Sequence, residues 1–396
     1  MTSKRKHDDG AIKERLRINL RDEYRYLFFA DWENRDLSAQ HRFVPAPDGM
    51  VRMSFTHPMP NTRQADLVIQ SSDGGETWEA DEGYHPPCDR GLYVMGHLRL
   101  ALFRAGTECW RSYDGGASWR MASVPHADEA HLDGLGKPNC FSAIMLHQGL
   151  YAGRIVMVSD YFLGQEGPGG QLIGATWSDD WGGSWHCSRL FGPPDPLPGT
   201  PEGFGEPAVV EMPSGWLWMV MRSVYGELWQ CISRDGGETW GRPTPTGFVS
   251  PIANCYAARE PSTGATVLAW NAAVPGITQD FRAQHSFYRP RTNLTFAVSY
   301  DNTRTWTEPV IVEPGGGQYP TIHFAAGRMF VMYQSSPGTE PLPWIEQGLT
   351  LVAYDTEDVL ALPAWTAKTI QPWIDRGLVR HWRARACSPA SSETLS

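Results

Sequence analysis

The chain has 396 residues, 41% hydrophobic and 20% charged, a globular balance that excludes wholesale disorder. Its 44 Asp+Glu outnumber its 34 Lys+Arg, and the formal charge of −10 argues against a general nucleic-acid or anionic-membrane binder. No apolar run approaches the roughly 18 residues of a membrane-spanning helix.

The N-terminus, MTSKRKHDDGAIKERLRINL, is basic and no apolar stretch follows it, so no secretory signal is read and a cytoplasmic location is expected. Residues 10–22 are expected to form a helix within an N-terminal segment, 1–29, ahead of one large domain over 30–360. Forty glycines and 31 prolines demand many turns, and many turns in a long chain imply many short strands. Residues 363–386 are expected to be helical but broken at Pro372, in a C-terminal extension, 361–396, that ends in a loose tail. The seven cysteines (88, 109, 140, 187, 231, 255 and 387) are scattered without a C-x-x-C pair and read as reduced thiols.

Between these ends an eight-residue phrase recurs: SSDGGETW at 71–78, SYDGGASW at 112–119, SDDWGGSW at 178–185, SRDGGETW at 233–240 and SYDNTRTW at 299–306. An apolar strand-like run precedes each copy, such as ADLVIQ or NLTFAV. The Asp-x-Gly step then makes a tight turn, with glycine supplying positive φ and the carboxylate bonding backbone amides; Thr303 replaces that glycine in the last copy. The aspartates 73, 114, 180, 235 and 301 therefore read as turn formers rather than catalysts. The tryptophans 78, 119, 185, 240 and 306 are expected to be largely buried over their turns.

These phrases resemble the Asp-box (BNR) repeats of the sialidase, or neuraminidase, superfamily. The resemblance implies an all-β fold, a six-bladed β-propeller of four-stranded antiparallel blades with the active site on its axis. Intervals of 41, 66, 55 and 66 residues between copies suit blades of about 40–50 residues plus loops, and they also accommodate seven blades.

Asp boxes indicate a fold and not an activity, so the chemistry must come from other residues. In GFGEPAVVEMPSGWLWMVMRS, Glu206 stands at a loop-to-strand junction and Arg222 closes the following apolar strand. Neither position suits an ordinary solvated charge. In RPRTNLTFAVSYDNTRTWTEPVIVEPGGGQYP, Arg291 precedes the last Asp box and Tyr319 follows a small-residue loop. The order Glu206, Arg222, Arg291, Tyr319 resembles the sialidase order. That resemblance implies a tyrosine nucleophile with a glutamate base, and arginines that clamp the carboxylate of an acidic sugar. The residue types suit this chemistry, since guanidinium forks bind a carboxylate bidentately and a neutral phenol avoids the repulsion an anionic nucleophile would meet. A phenol with an ordinary pKa near 10 needs a base within reach, here Glu206.

Other matches are less direct. Arg42, in His41-Arg42-Phe43-Val44, is the nearest counterpart of the family's first arginine, with Arg35 as the fallback. The family's acid/base aspartate should precede the first Asp box, but the segment THPMPNTRQA at 56–65 has no carboxylate, so His57 is the candidate acid. Asp66 enters the next strand and is expected to face solvent. Asp160 and Tyr161 end a strand before a Gly-rich stretch and are candidates for the substrate rim. No H-E-x-x-H or similar spacing occurs, so neither metal nor cofactor is expected.

The leading reading is thus a sialidase-like exo-glycosidase acting on a glycan. Two others stay open. One is a polysaccharide lyase on a uronate polymer, using Arg with His and Tyr. The other is a propeller that binds glycans without turnover.

Overall fold

The computed structural model of the protein describes residues 12–19, 41–44, 46, 49–57, 65–81, 83, 91–96, 99–104, 108–114, 116, 118–124, 138–162, 171–195, 203–274, 291–336 and 348–380. They form four separate four-stranded antiparallel sheets and one seven-stranded sheet. The first contains β2 (His41–Val44), β3 (Val51–His57), β4 (Ala65–Ser71) and β5 (Glu79–Ala80). The second contains β6 (Gly91–Gly96), β7 (Arg99–Arg104), β8 (Glu108–Ser112) and β9 (Arg120–Ser123). The third contains β10 (Asn139–Met145), β11 (Ile155–Phe162), β12 (Gln171–Ser178) and β13 (His186–Cys187). The fourth contains β14 (Phe204–Glu211), β15 (Leu217–Ser223), β16 (Glu227–Ser233) and β17 (Thr244–Val249).

The seven-stranded sheet joins two such units through one long strand. It holds β18 (Tyr256–Arg259), β19 (Thr266–Asn271), β20 (Thr292–Ser299), β21 (Val310–Ala325), β22 (Arg328–Ser336), β23 (Gly348–Asp355) and β1 (Glu14–Asn19). The first part of β21 pairs with β20 as far as Gly316, and the remainder pairs with β22. Residues 14–19 are therefore not helical as expected. They form an edge strand antiparallel to β23, anchored by Arg17, which donates to the Tyr333 hydroxyl at 2.6 Å and to the Val312 carbonyl at 2.5 Å.

First strands of successive units are neighbours: β2 with β6, β6 with β10, β10 with β14, β14 with β18, β18 with β21, and β21 again with β2. The apolar cores lie between adjacent sheets. Val156, Val158 and Ile173 of the third sheet pack with Val209, Leu217 and Met219 of the fourth. Phe43, Val51 and Met53 of the first pack with Phe330, Met332 and Leu351 of the last. Strands buried on both faces need no polar alternation, and β14 and β15 are buried along their whole length.

Each Asp box is a hydrogen-bonded turn. In the first, the Ser71 hydroxyl donates to Asp73 Oδ1 at 2.8 Å and accepts from the Gly75 amide at 2.7 Å. Asp73 also accepts from the amide (2.9 Å) and hydroxyl (2.6 Å) of Thr77. Asp114, Asp180, Asp235 and Asp301 accept in the same way. Burial alone would raise the Asp73 carboxyl, but these bonds outweigh it and hold it down at about 2; Asp114 is likewise held at about 2, first by the Ser118 hydroxyl.

The boxes also join sheet to sheet. Arg111 of the second sheet donates to the Asp180 carbonyl at 2.7 Å, and Arg154 of the third reaches Glu238 at 2.9 Å in the fourth sheet's box. Arg328 of the last sheet donates to the Gly74 carbonyl at 2.7 Å, so the first box docks on the last sheet. A Cβ on Gly75 would stand 2.7 Å from the Phe330 ring, so glycine is required there for close contact as well as for its φ of 93°.

Burial of the five box tryptophans is uneven. Trp78 and Trp306 are 5% exposed, but Trp119, Trp185 and Trp240 are only half-buried. Trp78 and Trp240 each donate to a glycine carbonyl of their own turn at 3.1 Å. The Trp185 indole reaches across to Ser123 Oγ at 2.9 Å instead.

After β23 a short helix spans Thr356–Leu360 and a longer one Ala367–Asp375. The expected break at Pro372 does not occur, because the proline sits inside the second helix, which starts from a capping box between Thr366 and Thr369. Ile370 and Trp365 pack this segment against Phe248 and Trp270. The expected tail lies outside the described residues.

Candidate active site

Two of the candidate residues stand on irregular backbone. Glu206 has φ 47°, where the pairing of β14 with β15 shifts register between Gly205 and Ala208. Tyr319 has φ 52°, where β21 shifts against β22 between Gln318 and Thr321. Such bulges re-aim side chains, and non-glycine residues held at positive φ cost roughly 1–3 kcal/mol. The Gly-Gly-Gly-Gln stretch before Tyr319 is thus not a loop as expected but the middle of β21, where the Gly317 amide donates to the Arg291 carbonyl at 3.0 Å. Arg291 immediately precedes β20, beside a third register shift between Thr292 and Leu294.

The bulges bring the four residues together. Arg222 Nη1 lies 2.9 Å from Glu206 Oε2, and both side chains are nine-tenths buried. That oxygen has the charge contact but no aligned hydrogen bond, so the carboxylate keeps accepting capacity. Gly205 permits the approach: a Cβ there would stand 3.0 Å from Arg222 Nε. The Arg291 guanidinium carbon is 5.4 Å from the centroid of the Tyr319 ring. Burial raises the Tyr319 phenol first and the Glu206 charge raises it further, while Arg291 and Arg222 pull it down and Arg291 hydrogen-bonds it. All four groups therefore share one electrostatic environment. Beside them Cys255 is a neutral thiol, pushed up to about 12 mainly by burial and also by Glu206.

A shell of amides and carbonyls positions these groups. Asp160, at 1% exposure, accepts from the Glu206 amide at 3.0 Å and from Gln171 Nε2 at 2.7 Å. It therefore supports the Glu206 backbone. Tyr161, the next residue, points to the opposite face, as alternation along a strand requires. It is 1% exposed within the third sheet's core and near Cys187, so its expected place on a rim is corrected. Arg291 Nη1 donates to Gln318 Oε1 at 2.5 Å and Nη2 to the Ile252 carbonyl at 2.9 Å. Gln318 Nε2 donates to Gln334 Oε1 at 3.3 Å. Asn271 Nδ2 ties the Thr292 carbonyl (3.2 Å) to the Gly317 carbonyl (2.7 Å).

Gln171, Asn271, Gln318 and Gln334 were not expected from the sequence. One signal was available: Gln171 and Gln318 each follow Gly-Gly. Arg42 lies in β2 and His57 ends β3 rather than standing in a loop, but their side chains, like that of Asp66, lie outside the described ones, and so does all of Arg35. Among the described residues no group of three or more His, Cys, Asp and Glu could hold a metal ion, and no helix is long and apolar enough to cross a membrane.

Comparison with solved structures shows a similar fold at low identity. A protein of unknown function from Dyadobacter fermentans is 17% identical with a TM-score of 0.53, over 81% of this chain and 94% of that one. A Hadza microbial sialidase is 15% identical with a TM-score of 0.54, over 82% of this chain and 67% of that one. Trypanosoma rangeli sialidase in complex with 2,3-difluorosialic acid is 11% identical with a TM-score of 0.51 over 81% of this chain, which spans only 55% of that longer one. No curated protein matches the sequence. The family model described as a BNR repeat-like domain matches residues 101–331, a stretch that holds four of the five Asp boxes together with Glu206, Arg222, Arg291 and Tyr319. The chain therefore belongs to the BNR repeat-like family.

Proposed function

We propose that this protein is a sialidase-like exo-glycosidase that hydrolyses a terminal acidic sugar from a glycan, on a six-bladed propeller. The blade count is supported by six four-stranded units, two of them sharing β21, and by the cyclic succession of their first strands. The observation that carries the functional reading is the convergence of Glu206 and Arg222 from the fourth sheet with Arg291 and Tyr319 from the seven-stranded sheet. A tyrosine beside a buried carboxylate and two guanidiniums suits attack on a sugar that itself carries a carboxylate.

In this reading the Tyr319 hydroxyl attacks the anomeric carbon while Glu206 takes its proton. The glycosidic bond breaks as His57 protonates the leaving oxygen, and water then releases the sugar from the tyrosine. Arg222 and Arg291 hold the substrate carboxylate, with Arg42 as the proposed third cation. Burial raises the Tyr319 phenol most and Glu206 raises it further; both arginines favour the phenolate and oppose part of that rise.

An aryl glycoside of sialic acid, assayed for aryl alcohol release, tests the proposal. Tyr319→Phe should lower kcat/KM by about 1,000-fold or more, and full activity in that variant would overturn the nucleophile assignment. Anionic polysaccharides followed by ultraviolet absorbance provide a parallel test. A new carbon–carbon double bond in the product would replace hydrolysis with elimination.

A further inference from the structure

We propose that Gln318 is a positioning residue that aims the Arg291 guanidinium at the Tyr319 hydroxyl and at the substrate carboxylate, and so sets the preference for acidic over neutral sugars. The proposal deepens the glycosidase reading and rests on it for the substrate, but its core is a contact within the protein.

Arginine has five donors in a rigid plane, so fixing two of them fixes where the other three point. Arg291 is fixed in this way, by Gln318 Oε1 at 2.5 Å on Nη1 and by the Ile252 carbonyl at 2.9 Å on Nη2. Gln318 is 4% exposed and is itself held, its Nε2 donating to Gln334, which is 2% exposed. A hydrogen-bonded line thus runs from β22 through β21 to the arginine before β20. Gln318 immediately precedes Tyr319 and stands at the start of the same register shift. One backbone irregularity therefore places both the phenol and the acceptor that steers its neighbouring cation.

The acceptor is also a neutral amide. Its oxygen orients the guanidinium without adding an opposing charge. A carboxylate in the same place would hold Arg291 equally well and would compete with the substrate's own carboxylate for it.

Two substitutions separate these roles. Gln318→Met keeps length and apolar bulk but removes the acceptor. Gln318→Glu keeps the acceptor and adds a charge. The first readout is the ratio of kcat/KM for a sialic acid aryl glycoside to that for its methyl ester, which lacks the carboxylate charge. Both variants should lower this ratio tenfold or more, through a raised KM for the acid that the ester does not share. The second readout needs no activity: titration of the Tyr319 phenol by NMR of labelled tyrosine, assigned with Tyr319→Phe. In Gln318→Met, Arg291 leaves the hydroxyl and the titration should move to higher pH. Gln334→Met should move both readouts in the same direction by less.

A folded Gln318→Met protein with unchanged phenol titration would overturn the positioning role. A moved titration with an unchanged acid-to-ester ratio would overturn the preference role and leave the positioning. If the wild-type protein cleaves neither substrate, the glycosidase reading fails together with the preference role, and the titration alone decides the positioning.

Discussion

Glu206→Gln tests the proposed base in a way that separates folding from chemistry. The substitution keeps the shape of the side chain and one oxygen, but removes the charge that lies 2.9 Å from Arg222 in a nine-tenths-buried site. Stripping one member from a buried ion pair costs about 3–5 kcal/mol; because glutamine still offers an oxygen, we expect about 1–3 kcal/mol here. The left-handed backbone adds nothing to the difference, since Gln and Glu meet the same steric penalty at φ 47°. Loss of a positioned base lowers rate by about 100- to 10,000-fold. The charge on Glu206 also raises the Tyr319 phenol, so its removal leaves a more acidic hydroxyl. The variant should therefore regain rate relative to wild type as the solution is made alkaline and solvent takes over the proton, so the ratio of variant to wild-type kcat/KM climbs with pH. Chemical denaturation gives the stability change, and an aryl-glycoside pH–rate profile gives the rest. A folded variant that keeps more than about a tenth of wild-type kcat/KM at neutral pH would refute the base assignment, as would a profile parallel to wild type.

Two further predictions concern stability. Trp306→Ala should be the more damaging of two box truncations, at about 3–5 kcal/mol, because Trp306 is 5% exposed and packs on Trp218 at 5.7 Å and Phe248 at 5.6 Å. Half-buried Trp240→Ala should cost less, and equal shifts in denaturation midpoint would contradict the uneven burial. His323 stacks on Phe43 at 4.7 Å where β21 meets β2, and burial lowers its pKa from 6.5 to about 4. The neutral ring is favoured in the fold, so the unfolded chain binds the extra proton. Stability should therefore be full above pH 6.5 and fall as pH drops towards 4. His323→Phe should flatten that part of the stability–pH curve, and an unchanged slope would assign the dependence to other groups.

The repeat was legible because each Asp box is local chemistry: Ser, Asp, Gly and Thr bond one another within eight residues, and the turn needs no partner from elsewhere. Burial of the box tryptophans was not legible. Whether an indole is covered depends on the neighbouring sheet, and Trp185 bonds Ser123 sixty-two residues away. Residues 14–19 misled for the same reason. An uninterrupted stretch at the chain's start suggests a helix, but β23 offers an edge and tertiary pairing overrides propensity. Tyr161 misled because period-two alternation sends adjacent residues to opposite faces, and no loop composition says which face is which.

The site shows a further limit, and it has a physical cause. Residue type and order pointed to Glu206, Arg222, Arg291 and Tyr319, because charged groups inside apolar strands are rare unless something compensates them. What compensates them is polar but uncharged and carries little signal in sequence: Gln171 on Asp160, Gln318 on Arg291, and Asn271 between two backbone carbonyls. The register shifts that turn Glu206 and Tyr319 to one side are equally quiet, since neither is a glycine and neither lies in a turn. The two systems therefore divide the work. The Asp boxes link one sheet to the next through hydrogen-bonded aspartates, with glycine at positive φ in four of them and Asn302 and Thr303 there in the last. The site holds Glu206 and Tyr319 in the same left-handed region, each at its own bulge, with Asp160 also fixing the Glu206 amide. Relaxing either bulge would improve local backbone energy and carry the phenol away from the carboxylate. The strain can persist only because the packed sheets on both sides resist that relaxation.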